Sequence, residues 1–526
     1  MNEFAVREAP EVTEQDGKFR TQMGTISRQS GVFFAGTIFT AVFGYVFKVY
    51  LTRTLGAEAL GIYALGMTVV GFMGVSGGLG LTWAASRFPP AFSSTGRLAE
   101  LRSFLGWSVL SLVAVNGVLA LCMILARQWI SSRLYHTPAL GGYLPLFAAI
   151  MFMGALSTFF GQLLTGYKDV TRRTLIANVG SVVLTAAFTV ALVQWGTGLW
   201  GYIFAQVVSA AMILILLMVV AMRLTPKAAR SIWRLDAPPR EMFSFASAAL
   251  AMDVVTFLYT QTDKVILGFY LDARSVGIYA VSAAVVAFLP IALQSVNQIF
   301  SPTIADLHGR GESAMLNRLY QILTKWILGF TIPLAAVVII FSRALMRVFG
   351  HDFEGGWAIL VIGAVGQLVN CGVGSVGYLL LMSGNEKRLV RIQVVMGVIT
   401  VGSCLWLAPR WGIAGAAVAA ALGNAGTNAW CLYEVKQRLG LYPYNRGYAK
   451  LLLPALTAVV ATFGLRIALR PIRQDILAVV LATVGVYAMF LGTVLLMGLD
   501  ADDRFVAAAA WGRVRGFFAS AQAGAV

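Results

Sequence analysis

The sequence predicts an all-α membrane protein of about fourteen transmembrane helices, built as two related six-helix bundles followed by two extra C-terminal helices. Three observations carry this reading. The 526 residues are 58% hydrophobic and only 12% charged, with a mean hydropathy of +0.77, whereas a soluble globular chain is about a quarter charged. Apolar runs of about 20 residues, the length needed to cross a bilayer as a helix, recur along the chain. They are continuous rather than alternating, which argues against barrel strands. Finally, the chain repeats itself at an offset of 216 residues.

The repeat is clearest at residues 48–64 and 264–280. Lys48/Lys264, Val49/Val265, Leu51/Leu267, Leu55/Leu271, Ala57/Ala273 and the Gly-Ile-Tyr-Ala runs 61–64 and 277–280 coincide without a gap. Further along, Gly161, Leu163 and Leu164 meet Gly377, Leu379 and Leu380, and Trp195-Gly196 meets Trp411-Gly412. Spans one to six therefore repeat as spans seven to twelve. Such halves are a building principle of secondary transporters.

Fourteen spans fit the apolar runs: 30–51, 59–82, 103–126, 143–165, 174–194, 199–222, 242–269, 276–300, 326–348, 357–382, 389–408, 412–435, 451–469 and 475–497. Basic residues collect on the cytoplasmic side of membrane proteins. With the N-terminus inside, 28 of the 40 Lys and Arg residues fall inside and 10 outside, leaving Lys48 and Lys264 within spans. Both copies of the repeat then start inside, so the repeat is parallel, and both termini are cytoplasmic. The expected organisation is a tail (1–29), a first bundle (30–222), a basic linker (223–241), a second bundle (242–436), helices 13 and 14 (451–497) and a cytoplasmic tail (498–526). That last tail interleaves Phe505, Trp511, Phe517 and Phe518 with Arg504, Arg513 and Arg515. Two readings of it stay open, a surface-lying segment and a disordered one.

The formal charge of +17 is accounted for by the inside loops, so no nucleic-acid partner is inferred. The four cysteines lie in or beside apolar runs without metal or disulfide spacing. His136, His308 and His351 fall in separate loops, and no nucleotide-binding loop is present. Gly74-Val-Ser-Gly-Gly78 matches Gly-x-Ser-x-Gly but lies inside a span, not on a strand-to-helix turn. No enzyme, no cofactor and no metal site is expected.

Leu51-Thr-Arg-Thr-Leu-Gly56-Ala-Glu-Ala-Leu-Gly61-Ile-Tyr-Ala64, then Gly78-Leu-Gly-Leu81 and Ser86-Arg87, resembles the start of the Wzx-type polysaccharide flippases of the MOP (MATE-like) superfamily. Asp263-Lys264-x-x-Leu267-Gly268 with Val276-Gly-Ile-Tyr-Ala280 resembles the family's seventh and eighth helices, and Trp411-Gly-Ile-Ala-Gly-Ala-Ala417 its twelfth. The similarity spans about residues 25–440. It implies a MATE-like fold with a central cavity opening alternately to each side, and helices 13 and 14 contributing a lipid-facing groove. The implied cargo is an isoprenoid (undecaprenyl) pyrophosphate carrying an oligosaccharide for polysaccharide, exopolysaccharide or O-antigen synthesis. It would move from the cytoplasmic to the outer leaflet of a bacterial inner membrane. Implied partners are that lipid-linked oligosaccharide, membrane lipids, a polysaccharide polymerase and glycosyltransferases. Alternatives within the fold are a cation-coupled MATE-type drug exporter and a lipid II flippase. A membrane-embedded glycan polymerase or ligase is disfavoured by the short loops.

Ionisable residues inside a membrane are functional candidates by default. Lys48 and Lys264, related by the repeat, line the cavity as substrate-binding groups, snorkel to the interface, or pair with a structural partner such as Asp263 or a helix end. Arg53 and Arg87 flank span two and are further substrate-binding candidates, with Arg87 placed at the cytoplasmic mouth. Asp253, near mid-membrane, and Asp263 are candidates for coupling to an H⁺ or Na⁺ gradient. Neighbours on a helix do not share a face, so Asp263 and Lys264 are not expected to pair. Tyr63 and Tyr279 read as aromatic-belt anchors at the outer interface.

Overall fold

The computed structural model describes residues 14–229, 240–472 and 474–498. The C-terminal tail and most of the linker's basic stretch lie outside the described residues. Everything regular among the described residues is helical. The helices are α1 (Glu14–Gly77), α2 (Leu81–Ser94), α3 (Leu98–Leu125), α4 (Leu140–Gly166), α5 (Val170–Gln194), α6 (Gly198–Leu224), α7 (Arg240–Tyr270), α8 (Ala273–Val286) and α9 (Ile291–Gly309). They continue with α10 (Ser313–Ile340), α11 (Ser342–Val348), α12 (Trp357–Val373), α13 (Val376–Met382), α14 (Glu386–Leu439), α15 (Ala449–Ala468) and α16 (Asp475–Met497).

Among the described residues ten helices are long and apolar enough to cross a membrane, or eleven if the bent pair α8–α9 forms one span. The chain is a multi-pass membrane protein. Two of these helices exceed one crossing. The apolar stretch Ala35–Gly77 has 43 residues and Glu386–Leu439 has 54, or about 65 and 80 Å at 1.5 Å per residue, against a hydrocarbon core of about 30 Å. Each contains one non-helical glycine: Gly56 (φ 79°, ψ 176°) and Gly412 (φ 59°, ψ −139°). A side chain resists that left-handed backbone, whereas glycine adopts it freely. The chain turns there, at the boundaries the hydropathy assigns between spans one and two and between spans eleven and twelve. Gly196, the repeat partner of Gly412, also has positive φ, and the tryptophan preceding each is exposed.

The described residues form two compact units. Unit 1 takes the described parts of Met1–Leu51, Val69–Trp129 and Ala139–Val254; unit 2 takes Thr52–Thr68, Ile130–Pro138 and the described parts of Val255–Val526. The turn around Gly56 thus packs with the second half of the chain, and the first half of α7 packs with the first.

Unit 1 is held by an aromatic core. Phe88 packs with Phe92 and Phe104, and Phe104 with Phe159, at ring separations of 5.8–6.4 Å. Gly80, at φ 65°, lets α2 start against α7, since a Cβ there would overlap the Ala246 carbonyl oxygen. α2 itself is unforeseen. Hydropathy ends the second span at residue 82, because it registers membrane thickness rather than helix length. The helix resumes at Leu81 and runs through Pro89 and Pro90, so Arg87 lies on a helix rather than in a loop.

In unit 2 the repeat folds back on itself. A Cβ on Gly61 would overlap the Ala273 carbonyl oxygen, and a Cβ on Gly277 would overlap the Ala57 carbonyl oxygen. Ala57/Ala273 and Gly61/Gly277 are repeat partners. Each copy therefore contributes the same small-x-x-x-small face to one close, reciprocal helix crossing, a packing mode suited to membrane interiors. Gly61→Ala and Gly277→Ala should each destabilise the protein by about 1–3 kcal/mol through overpacking. A thermal-shift assay in detergent checks this, with Gly142→Ala, where a Cβ meets nothing within 4 Å, expected to melt as the unaltered protein does.

Candidate functional site

Unit 2 encloses a cavity of about 770 Å³. α7 contributes Thr262 and Asp263, α8 Tyr279, α9 Gln294, Asn297 and Gln298, α12 Gln367 and Asn370, α13 Tyr378, and α14 Thr400, Cys404 and Asn424. The room comes from small residues on facing helices: Gly363 and Gly366 on α12, and Ala416, Ala417, Ala420 and Ala421 on α14. A Cβ on Gly366 would come within 3.0 Å of Ala421, so these helices are already as close as their backbones allow.

Six amide side chains and one carboxylate converge on this space. The carboxylate is Asp263, and no Lys or Arg is among the lining residues. Tyr279 donates its hydroxyl to Asp263 Oδ2 at 2.6 Å, while the Lys264 backbone N–H donates to Oδ1 at 2.8 Å. Asn370 donates to Gln367 at 2.9 Å. Asn297 is 8% exposed, and its Oδ1 is buried without a hydrogen-bond partner. A buried acceptor left unpaired is costly, and this one adjoins the cavity.

The polar lining of this cavity is not repeated in the first copy. At the same offset Asp263 corresponds to Phe47, Asn297 to Leu81, Gln367 to Met151, Asn370 to Gly154 and Asn424 to Val208. Leu81 and Met151 are buried apolar residues. At two of these positions the first copy has buried apolar side chains where the second has amides lining the chamber.

Of the six charged residues proposed from sequence as substrate-binding or coupling groups, Asp263 alone lines this cavity. Lys264, half-buried, turns to Gln261 and donates from Nζ at 2.8 Å. Arg53 is exposed and donates from Nε to the Val348 carbonyl at 2.8 Å, at the end of α11. In unit 1, Asp253 accepts from Trp83 Nε1 at 3.1 Å. Arg87, one turn beyond Trp83 on α2, lies over the Phe245 ring at 4.9 Å and the Phe88 ring at 5.5 Å. α2 and the first half of α7 are thus joined by a hydrogen bond and cation–π contacts involving two of the candidates. Lys48 is a half-buried residue of unit 1.

Tyr279 corrects the sequence reading. It is 2% exposed and holds the cavity carboxylate, so it is no interfacial anchor. The amides carry no formal charge, so the charged residues within apolar spans do not reveal them. Their signal was present in Gln294, Asn297 and Gln298, three amides within five positions of one apolar run.

The sequence matches the family described as polysaccharide biosynthesis protein over residues 26–308. The chain belongs to that family. It is 23% identical over 416 residues to a probable flippase, AglR, of Haloferax volcanii, covering 76% of this chain and 81% of that protein. The fold is that of the MOP superfamily. The lipid II flippase MurJ, in an inward closed conformation, superposes with a TM-score of 0.66 at 13% identity, covering 88% of this chain and 99% of MurJ. An inward-facing MATE-family multidrug resistance transporter gives 0.58 at 13% identity, covering 78% and 98%.

Replacing Tyr279 by Phe should cost about 1–3 kcal/mol, because the half-buried Asp263 carboxylate loses its donor. In the Asp263→Asn background the same replacement should cost distinctly less. Thermal unfolding of the two single variants and the double variant measures that coupling.

Proposed function

We propose that this protein is a flippase that carries an isoprenoid (undecaprenyl) pyrophosphate-linked oligosaccharide from the cytoplasmic to the outer leaflet of a bacterial inner membrane, by alternating access. The observation that supports it most is the amide-lined cavity of unit 2. A sugar's hydroxyls need several neutral donors and acceptors in a water-accessible space, and Asn and Gln supply both from one side chain. A pyrophosphate needs cations, which this cavity lacks, so it is the chamber for the glycan rather than for the phosphates. Lys48, Lys264, Arg53 and Arg87 are the cations proposed to meet the pyrophosphate elsewhere on its path. Membership of a polysaccharide biosynthesis family and likeness to a probable flippase agree with this reading. Glycosyltransferases would supply the cargo on the inner face and a polymerase would consume it on the outer.

Asp263 is the proposed coupling group. A carboxylate inside an otherwise uncharged cavity attracts H⁺ or Na⁺, and its charge state would bias one conformation over the other. Asp253, tied to Trp83, is the second candidate. The lone carboxylate also suits a cationic drug, the cargo of a MATE-type exporter, which is the competing reading.

Two experiments separate these. A deletion strain should accumulate lipid-linked oligosaccharide in the cytoplasmic leaflet and keep its drug susceptibility; drug sensitivity without accumulation would favour the exporter. Asn297→Leu, Gln367→Met and Asn424→Val install the first copy's residues and remove one polar group each. Each should lower export about tenfold, the worth of roughly one buried hydrogen bond to the transported group, with protein levels unchanged in membrane immunoblots.

A further inference from the structure

A second pocket, of about 350 Å³, lies in unit 2 away from the amide cavity. Its wall carries Arg343 and Arg347 from α11, Arg466 from the last turn of α15, Arg470 from the turn that follows it, Glu354, and Asp475 at the start of α16. Four guanidiniums face two carboxylates. Arg347 takes both: it donates to Asp475 at 3.0 and 3.2 Å and lies 3.8 Å from Glu354. Arg343 sits over the Trp357 ring at 5.1 Å. Among the described residues no carboxylate pairs with Arg466 or Arg470. The pocket is therefore left with uncompensated positive charge, presented on planar forks that match phosphate oxygens.

Its place in the membrane is unusual for such charge. The distribution of basic residues puts these four arginines on the outer side, where Lys and Arg are scarce. They make up four of the ten outer cations in the whole chain, so the charge is concentrated rather than scattered. The pocket is also amphipathic. Phe463, Arg466 and Ile467 share one face of α15 by their three- and four-residue spacing, with Arg470 in the turn just beyond the helix, and Phe463 and Ile467 are exposed, as are Ile476 and Leu477 on α16. The surface passes from apolar to cationic toward the end of α15 and the turn beyond it, as a lipid passes from tail to headgroup.

We propose that this pocket binds the phosphate of an anionic membrane lipid, with the acyl chains lying along α15 and α16. The two helices beyond the repeat then have a role of their own, fastening a lipid against the end of α11. A free phosphate would use the arginines but gain nothing from the flanking apolar face. The proposal does not depend on which cargo the protein carries.

The test uses the full chain purified in detergent, with native mass spectrometry and thermal shift as readouts. The probes are phosphatidylglycerol, phosphatidylcholine and inorganic phosphate. Phosphatidylglycerol should be retained and stabilise the protein, phosphatidylcholine should do so weakly, and millimolar inorganic phosphate should not substitute. Arg466→Gln combined with Arg470→Gln should weaken phosphatidylglycerol binding about tenfold or more, as expected when charge-assisted bonds to phosphate are lost. The corresponding double Lys variant, which keeps the charge but not the forks, should fall between. Both variants should keep the unliganded melting temperature, because neither arginine has a carboxylate partner to lose. Equal retention of both lipids, or unchanged lipid binding in the Gln variant, would overturn the proposal. Stabilisation by inorganic phosphate equal to that by phosphatidylglycerol would make this a free-anion site and overturn the lipid assignment.

Discussion

The hydrogen bond from Tyr279 to Asp263 is the contact around which the second half of this protein is arranged. A carboxylate inside an apolar helix bundle is tolerated only if it is paired, hydrogen-bonded or hydrated. Tyr279 supplies a short charge-assisted bond to one oxygen, and the other faces the Lys264 N–H. The remaining requirement is a polar space beside the pair. Facing glycines and alanines on α12 and α14 create it without separating the helices, and amides from α9, α12 and α14 furnish it. Without the small residues the cavity would close, and without the amides it would be a dry void beside a charge.

The 216-residue repeat gives the protein both its symmetry and its asymmetry. The symmetric part is the crossing at Gly61 and Gly277, where each copy's glycine meets the other's alanine carbonyl. Two identical short faces meet on equal terms, so a single sequence pattern produces both sides of the contact. The asymmetric part is the chamber. Phe47, Leu81, Met151 and Val208 of the first copy stand opposite Asp263, Asn297, Gln367 and Asn424 of the second. The repeat keeps its packing where the copies meet and differs in polarity at the chamber proposed to hold the cargo.

Much of the scaffold was legible in the sequence because bilayer thickness acts directly on hydropathy. The apolar runs mark helices, and Gly56 and Gly412 mark turns through a backbone conformation that disfavours other residues. The pieces that escaped obey no such rule. α2 extends beyond any apolar window, and its paired prolines suggest a break rather than a helix. The chamber escaped because its polar atoms are spread over several helices, each contributing one to three positions in an otherwise apolar run. Asp263 stood out by charge alone, while Tyr279 was drawn to the interface by residue type. Only the fold places the tyrosine hydroxyl on the carboxylate.

The central claim is that the amide cavity of unit 2 receives the glycan, and site-specific labelling tests it most directly. In a background with Cys122, Cys371, Cys404 and Cys431 replaced by alanine, Asn297→Cys and Asn424→Cys would be labelled with a water-soluble maleimide in proteoliposomes. Isoprenoid-pyrophosphate oligosaccharide should slow labelling of both sites, while the bare isoprenoid pyrophosphate without sugar should leave it unchanged. Labelling that is insensitive to the oligosaccharide, or equally slowed by the sugar-free lipid, would contradict the account.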